Sequence, residues 1–330
     1  MAPAHSAALR DVTLDDKYAL DSGRVFLTGT QALVRLLILQ RQRDVLAGLN
    51  TAGFVSGYRG SPLGALDLSL WKAQKFLDRA HIKFQPGLNE DLAATSIWGS
   101  QQVNLYKDAT YDGVFAMWYG KGPGVDRCGD VFKHANHAGT SKHGGVLVLA
   151  GDDHGAKSST LPHQSDHMFS AAMMPVLYPS SVQEILDLGL HGWAMSRYSG
   201  LWVGFKCVAD TVESSASVYI DPSRTKIIVP DDFPLPPDGL SIRWPDGFLE
   251  TEARMQNYKV YAALAPPVVD PASFVLLSIA ARLERFLPAW LAFALLGLWF
   301  RRRIADRPRA TGLVFAAVWI VGYALYWSLI

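Results

Sequence analysis

The sequence predicts an α/β protein with an open, mostly parallel sheet covered by helices on both faces, followed by a C-terminal hydrophobic helical tail. Three observations predict it. From about residue 50 short apolar runs alternate with longer helical patterns, each junction marked by glycine or proline, as in βαβ units. The apolar runs are continuous rather than alternating, which is how strands covered on both faces read. At the other end, Ala310 to Ile330 is 21 residues without a charge.

In chain order, "AGFVSGY" (52–58) reads as a strand. The "RGSPLG" turn follows, then an amphipathic stretch with Leu66, Leu70, Ala73 and Leu77 on one face. "VFAMWY" (114–119), "GGVLVLAG" (144–151) and "LWVGFKCV" (201–208) are the next strands, with helices predicted over 90–104, 124–138 and 181–198 between them. Residues 209–264 loosen into a proline-rich stretch that reads as a short strand pair and a connecting arm. The domain boundaries expected are 1–20 for an N-terminal segment, 21–210 for the α/β domain, 211–264 for the arm, 265–309 for a linker with a short apolar helix, and 310–330 for a transmembrane helix.

Composition narrows the function. The chain has 330 residues, 49% of them hydrophobic, and a formal charge of +1, so it can bury a large core but presents no basic field to capture nucleic acid. Its two cysteines, Cys128 and Cys207, cannot build a disulfide framework, a four-thiolate metal site or an iron–sulfur cluster. The N-terminus lacks an apolar core behind a basic start, so it does not read as a secretory signal, and residues 1–264 are expected in the cytoplasm.

In open parallel sheets ligands bind beyond the carboxyl ends of the strands. The loops there are "YRGSPLG", "GKGPGVDRCGD" and "GDDHGAKSSTLPHQSDH". In "GKGPG", Gly120 and Gly122 offer backbone N–H groups at a helix start, as phosphate sites do, but the spacing fits neither the dinucleotide nor the Walker pattern. Close packing of strand on helix explains the same glycines. Six of the nine histidines lie between 134 and 167, and His163 and His167 stand four apart, a spacing that would share one helix face. Without a glutamate beside the first, a metal site is not favoured, and His154 and His163 read as polar substrate contacts or as hydrogen-bonded loop residues. Asp152 and Asp153 suit either acid–base work or tying the loop, with the structural role favoured for one of them. Asn89 is a good N-cap, which puts Glu90 in the first turn of a helix whose Leu92, Ala93, Ala94, Ile97 and Trp98 should be buried. Capping alone accounts for an acid there, yet a carboxyl left in an apolar cleft can also hold or share a proton.

Taken together, "DKYALDSGRVFLTGTQALVR", "GYRGSPLG", "LNEDLAAT", "YGKGPGVDR", "GDDHGAKSSTLPHQSDH", "MMPVLYPSSVQEILD" and "KCVADTVESSAS" resemble the 2-oxoacid:ferredoxin oxidoreductases, most closely the indolepyruvate type, over residues 8–264. The resemblance implies the pyrimidine-binding domain of a thiamine diphosphate enzyme, in the fold that binds that cofactor. Glu90 then matches the glutamate that hydrogen-bonds N1′ of the aminopyrimidine, with Gly60, Gly120 and Gly122 lining the cofactor. Ser61 lies where relatives carry a hydroxyl near the substrate carboxylate. The resemblance further implies a 2-oxo acid substrate, loss of carbon dioxide, and electrons passed through iron–sulfur clusters to ferredoxin. The domain that holds Mg²⁺ and the diphosphate, marked by a GDG motif, is not found in these 330 residues. The chain therefore reads as half an active site that needs a further domain or partner chain.

After "KVYAALA" the resemblance stops. Ala310 to Ile330 is long enough to span a ~30 Å hydrocarbon core at ~1.5 Å per residue. Phe286 to Phe300 is a shorter apolar run, and "RRRIADRPR" between them carries five arginines expected to stay cytoplasmic. These features predict an inner-membrane tether through one span. Two accounts of the join compete, a genuine tether and a break in the reading frame, and the second is favoured because the tail begins where the family's chain would run on to its other half. A reading from another class is a non-catalytic, membrane-anchored binding or assembly protein that keeps the fold.

Overall fold

The computed structural model describes residues 11–265 other than Ser158 and Pro245, with the backbone of 268–269. Up to the second long strand the elements are α1 (Asp16–Ala19), β1 (Gly23–Thr28), α2 (Gly29–Leu46) and β2 (Thr51–Gly57). Then come α3 (Leu66–Lys72), α4 (Gln74–Arg79), β3 (Ile82–Phe84), α5 (Glu90–Gln101), β4 (Gly113–Lys121), α6 (Gly122–Arg127) and α7 (Gly129–Ala138). They are followed by β5 (Val146–Gly151), α8 (Asp166–Ala171), β6 (Val176–Leu177), α9 (Val182–Ser199) and β7 (Val203–Lys206). The arm contributes α10 (Ala209–Val212), β8 (Ser215–Ile220), β9 (Ile227–Ile228), α11 (Phe248–Arg254) and α12 (Val260–Leu264), and β10 (Val268–Val269) closes the series.

Six strands form one sheet in the order β3-β2-β4-β5-β7-β6, every neighbouring pair parallel. The continuous apolar runs of β4 and β5 follow from this arrangement, because alternate side chains enter different cores. Phe115, Met117, Tyr119, Leu147 and Leu149 join Leu33 and Leu36 of α2 and Leu190 and Trp193 of α9. Ala116, Trp118, Val146, Val148 and Ala150 join Ala94 and Ile97 of α5 and Phe132 of α7. Trp118, Trp193 and Trp202 are fully buried, and truncating any one to alanine should cost about 3–5 kcal/mol.

Local signals set the helix ends. Thr28 and Gln31 form a capping box that starts α2, Ser181 caps α9, and α9 stops at Gly200, whose φ of 72° is the left-handed conformation glycine adopts without strain.

The structure differs from expectation in three places. The helix predicted over 124–138 is two, broken at Cys128, whose backbone (φ −84°, ψ 8°) leaves helical geometry between α6 and α7. The strands of 209–264 do not pair with each other: β8 pairs antiparallel with β1, and β9 with β10. An amphipathic strand such as β8 needs a partner, and β1 supplies it. The short edge strands β3 and β6 and the long helix α2 were not anticipated. Among the described residues no helix is long and apolar enough to cross a membrane. The runs Phe286 to Phe300 and Ala310 to Ile330 lie outside the described residues.

Candidate cofactor and substrate site

From β2 the chain crosses to β3 on one side, and from β4 it crosses to β5 on the other, so the connections diverge where β2 and β4 lie side by side. Such a divergence leaves a crevice beyond the carboxyl ends of the strands. Three loops enclose it, and glycines let them touch. A Cβ on Gly57 would strike the Tyr119 carbonyl, and one on Gly60 would stand 2.9 Å from Lys121 Cβ. Gly151 faces Pro62 Cδ at 3.1 Å and the Gly120 carbonyl at 3.2 Å, measured from the same added carbon. Gly120 itself lies against the Trp118 ring. Close packing thus accounts for Gly60, Gly120 and Gly122, and Ser61 is carried, half-buried, on the first of these loops.

Glu90 opens α5 at this edge. Asn89 caps the helix, its Oδ1 accepting from the Leu92 amide at 2.9 Å, and Trp118 Nε1 donates to the Glu90 carbonyl at 3.1 Å, which pins the helix start to β4. The Glu90 side chain runs over Gly124, where a Cβ would stand 2.5 Å from Glu90 Cγ. Its neighbour Asp91 accepts from Arg127 Nε at 2.8 Å. Burial first, then the carboxylates of Asp91 and Glu90, push the Cys128 thiol up. Ala93, Ala94 and Ile97 are buried as expected, but Leu92 is 51% exposed. With Leu92 exposed, Glu90 is half-buried rather than enclosed. Among the described residues no side chain donates a hydrogen bond to its carboxylate.

The loop after β5 is held by both aspartates. Asp152 is buried and accepts from the Ser165 amide at 3.0 and 3.2 Å and from Ser165 Oγ at 2.6 Å. Asp153 bridges to His163 through the backbone, the His163 amide donating to the Asp153 carbonyl at 3.1 Å, while its side chain accepts from the Lys157 amide at 3.0 Å. His163 therefore sits in an isolated β-bridge, and His167 belongs to α8, so the two do not share a helix face. Among the described residues no group of three or more His, Cys, Asp or Glu side chains could hold a metal ion. The His163 ring rests directly on Gly122, with Nε2 2.7 Å from Asp126 Oδ2 and Nδ1 3.8 Å from Asp152 Oδ1. Among the described residues Nδ1 is buried without a hydrogen-bond partner. His154, by contrast, is exposed at the tip of the loop and is not drawn into this group.

The crevice thus joins Glu90 through Gly124 and His163 through Gly122, two residues apart on α6. Sequence reasoning missed Lys206. It ends β7, is buried, and lies 2.5 Å from Asp166 and 3.4 Å from Asp152. Burial pulls its pKa down, but the two aspartates outweigh that and raise it. The signal was a lysine inside the apolar run "LWVGFKCV", because a charge in a buried strand requires a partner.

Fold and crevice define the class: a parallel α/β protein with a crevice at the point where its strand order reverses. No family model matches the chain. It is similar to the indolepyruvate oxidoreductase subunit IorA of Methanothermobacter marburgensis, with 30% identity over 187 residues, 56% of this chain and 26% of that protein. The subunit of the same name from Pyrococcus abyssi is 28% identical over 193 residues, 58% of this chain and 26% of its own length. The chain thus spans about a quarter of the curated relatives it matches. Among solved structures it is similar in fold to a 2-oxoglutarate:ferredoxin oxidoreductase from Magnetococcus marinus (TM-score 0.50, 15% identity, 74% of this chain and 45% of that one).

Proposed function

We propose that this chain supplies the thiamine-diphosphate pyrimidine half-site of an indolepyruvate-type 2-oxoacid:ferredoxin oxidoreductase, with residues 21–210 as the pyrimidine-binding domain and 211–264 as its arm. The observation that carries the reading is Glu90: a half-buried carboxylate at the mouth of the switch-point crevice, packed on a glycine and, among the described residues, accepting no side-chain hydrogen bond. The residues present fit the cofactor's aminopyrimidine. Glu90 keeps acceptor oxygens open at the crevice, and Gly124, having no Cβ, leaves the room that the Glu90 side chain occupies there.

When bound, thiamine diphosphate supplies the electron sink that lets a 2-oxo acid lose carbon dioxide. Glu90 holds a proton at the pyrimidine N1′, and the fixed start of α5 keeps its carboxylate in place. Ser61 and His163 meet the substrate's polar groups from the loops after β2 and β5. His154, exposed on the same loop as His163, is the third candidate for that role. The diphosphate, its Mg²⁺ and the iron–sulfur clusters belong to a further domain or partner chain, and ferredoxin is the electron acceptor.

Thiamine diphosphate binding tests this reading. The chain mixed with a chain supplying the diphosphate-binding half should bind the cofactor, and Glu90→Gln should weaken binding about tenfold or more, as loss of a hydrogen bond to a charged group does. No binding with any such partner would favour a non-catalytic protein that keeps the fold.

A further inference from the structure

Behind His163 a row of charged groups crosses three loops. Lys206, 5% exposed at the end of β7, stands 3.4 Å from Asp152 Oδ2 and lies over the Tyr178 ring at 5.1 Å. Asp152 faces His163 Nδ1 at 3.8 Å, and His163 Nε2 reaches Asp126 on α6 at 2.7 Å. The row therefore runs from β7 through the loop after β5 to the helix that carries Gly122 and Gly124.

We propose that Lys206 and Asp152 are positioning residues of this site: Lys206 fixes the Asp152 carboxylate, and Asp152 and Asp126 together hold the His163 ring over Gly122 in one orientation. Lys206 has a second partner, Asp166, but that carboxylate is 46% exposed and solvated without help. The Asp152 side chain is 0% exposed, and a buried carboxylate is tolerated only with its charge answered and its oxygens bonded. Ser165 engages both Asp152 oxygens through its amide and one through its hydroxyl, and the ammonium supplies the charge, so the carboxylate cannot swing. With Asp152 fixed on one side and Asp126 on the other, a flipped ring would present carbon to Asp126 and lose a charge-assisted hydrogen bond. The inference rests on the proposed function only for what His163 meets in the crevice. Its orientation stands on the geometry alone.

The test is nuclear magnetic resonance on the 330-residue chain with labelled histidine, reading the Overhauser contact between the His163 ring and the Gly122 Hα. His163→Gln assigns the signal by removing it. The contact should be present in the unaltered chain and in Lys206→Arg, and lost in Lys206→Met. The Trp193 indole N–H, which donates to the Ala116 carbonyl at 3.0 Å, should stay unchanged and so report an intact sheet. If Lys206→Met loosens the sheet, Ser165→Ala removes the hydroxyl bond to Asp152 while keeping the lysine, and should weaken the same contact. An undiminished contact in a folded Lys206→Met or in Ser165→Ala would overturn the proposal. Neither cofactor nor substrate takes part, so the thiamine reading can fail while the row is upheld, and the reverse.

Discussion

Two carboxylates at opposite edges of the sheet, Asp44 and Glu90, are treated in opposite ways. At the amino edge Asp44 accepts from Gln40 at 2.9 Å, from Thr51 at 2.7 Å, and from both Arg197 terminal nitrogens at 2.7 and 2.8 Å. Gln101 is equally occupied there, accepting from the Gly145 amide at 3.0 Å and donating to the Val114 carbonyl at 2.8 Å. At the carboxyl edge, among the described residues, no side chain donates a hydrogen bond to the half-buried Glu90. A carboxylate left without a side-chain donor beside a crevice is free to meet a ligand there.

The sharpest break of that contrast is Arg197→Met, which leaves the Asp44 charge buried and should cost about 3–5 kcal/mol in denaturant unfolding. Glu90→Gln, which strands no partner, should stay within about 0.5 kcal/mol. Comparable losses in both would erase the distinction between the edges.

Lys259 gives a pH test of the amino edge. It is buried, and its ammonium caps the end of α7, donating to the His137 carbonyl at 2.7 Å. Burial, then Arg254, with Asp246 opposing and Arg243 adding, lower its pKa to about 7. The folded value lies below the unfolded value of about 10.4, so the unfolded chain binds more protons between the two. Stability should therefore rise from about pH 7 to about pH 10, by on the order of a few kcal/mol, and fall back as pH drops through 7. Lys259→Met should flatten that rise, and a rise retained in the variant would point to other groups.

At the carboxyl edge the effect expected of a single methyl is smaller. Gly122→Ala must displace the His163 ring and should cost about 1–3 kcal/mol. In the same loop set Gly64 meets nothing closer than 3.8 Å, so Gly64→Ala should remain within about 0.5 kcal/mol. Equal losses in unfolding would mean that contact between the loops is not what Gly122 serves.

The core of the fold was legible because burial on both faces leaves continuous apolar runs, and β2, β4, β5 and β7 all announce themselves in this way. The edge strands β3 and β6 are three and two residues long and carry no such run. Gly129 stands directly after the break at Cys128, but a lone glycine within a helical pattern does not by itself announce an end. Glu90 was legible through its cap and first-turn position, whereas Leu92 was misplaced because helical spacing alone does not say which stripe meets the sheet. His163 was visible as a residue but not as a partner of Gly122 and Asp126, since those contacts join segments about forty residues apart and the hydropathy pattern does not encode them.

The most direct test of the central claim is deuterium exchange at C2 of thiamine diphosphate in the enzyme reconstituted from this chain and a diphosphate-binding partner. If Glu90 holds the pyrimidine proton, Glu90→Gln should slow exchange by roughly 10²–10⁴-fold, the range of general acid–base catalysis, while Gly64→Ala leaves it unchanged. Exchange as fast in Glu90→Gln as in the unaltered chain would contradict the account.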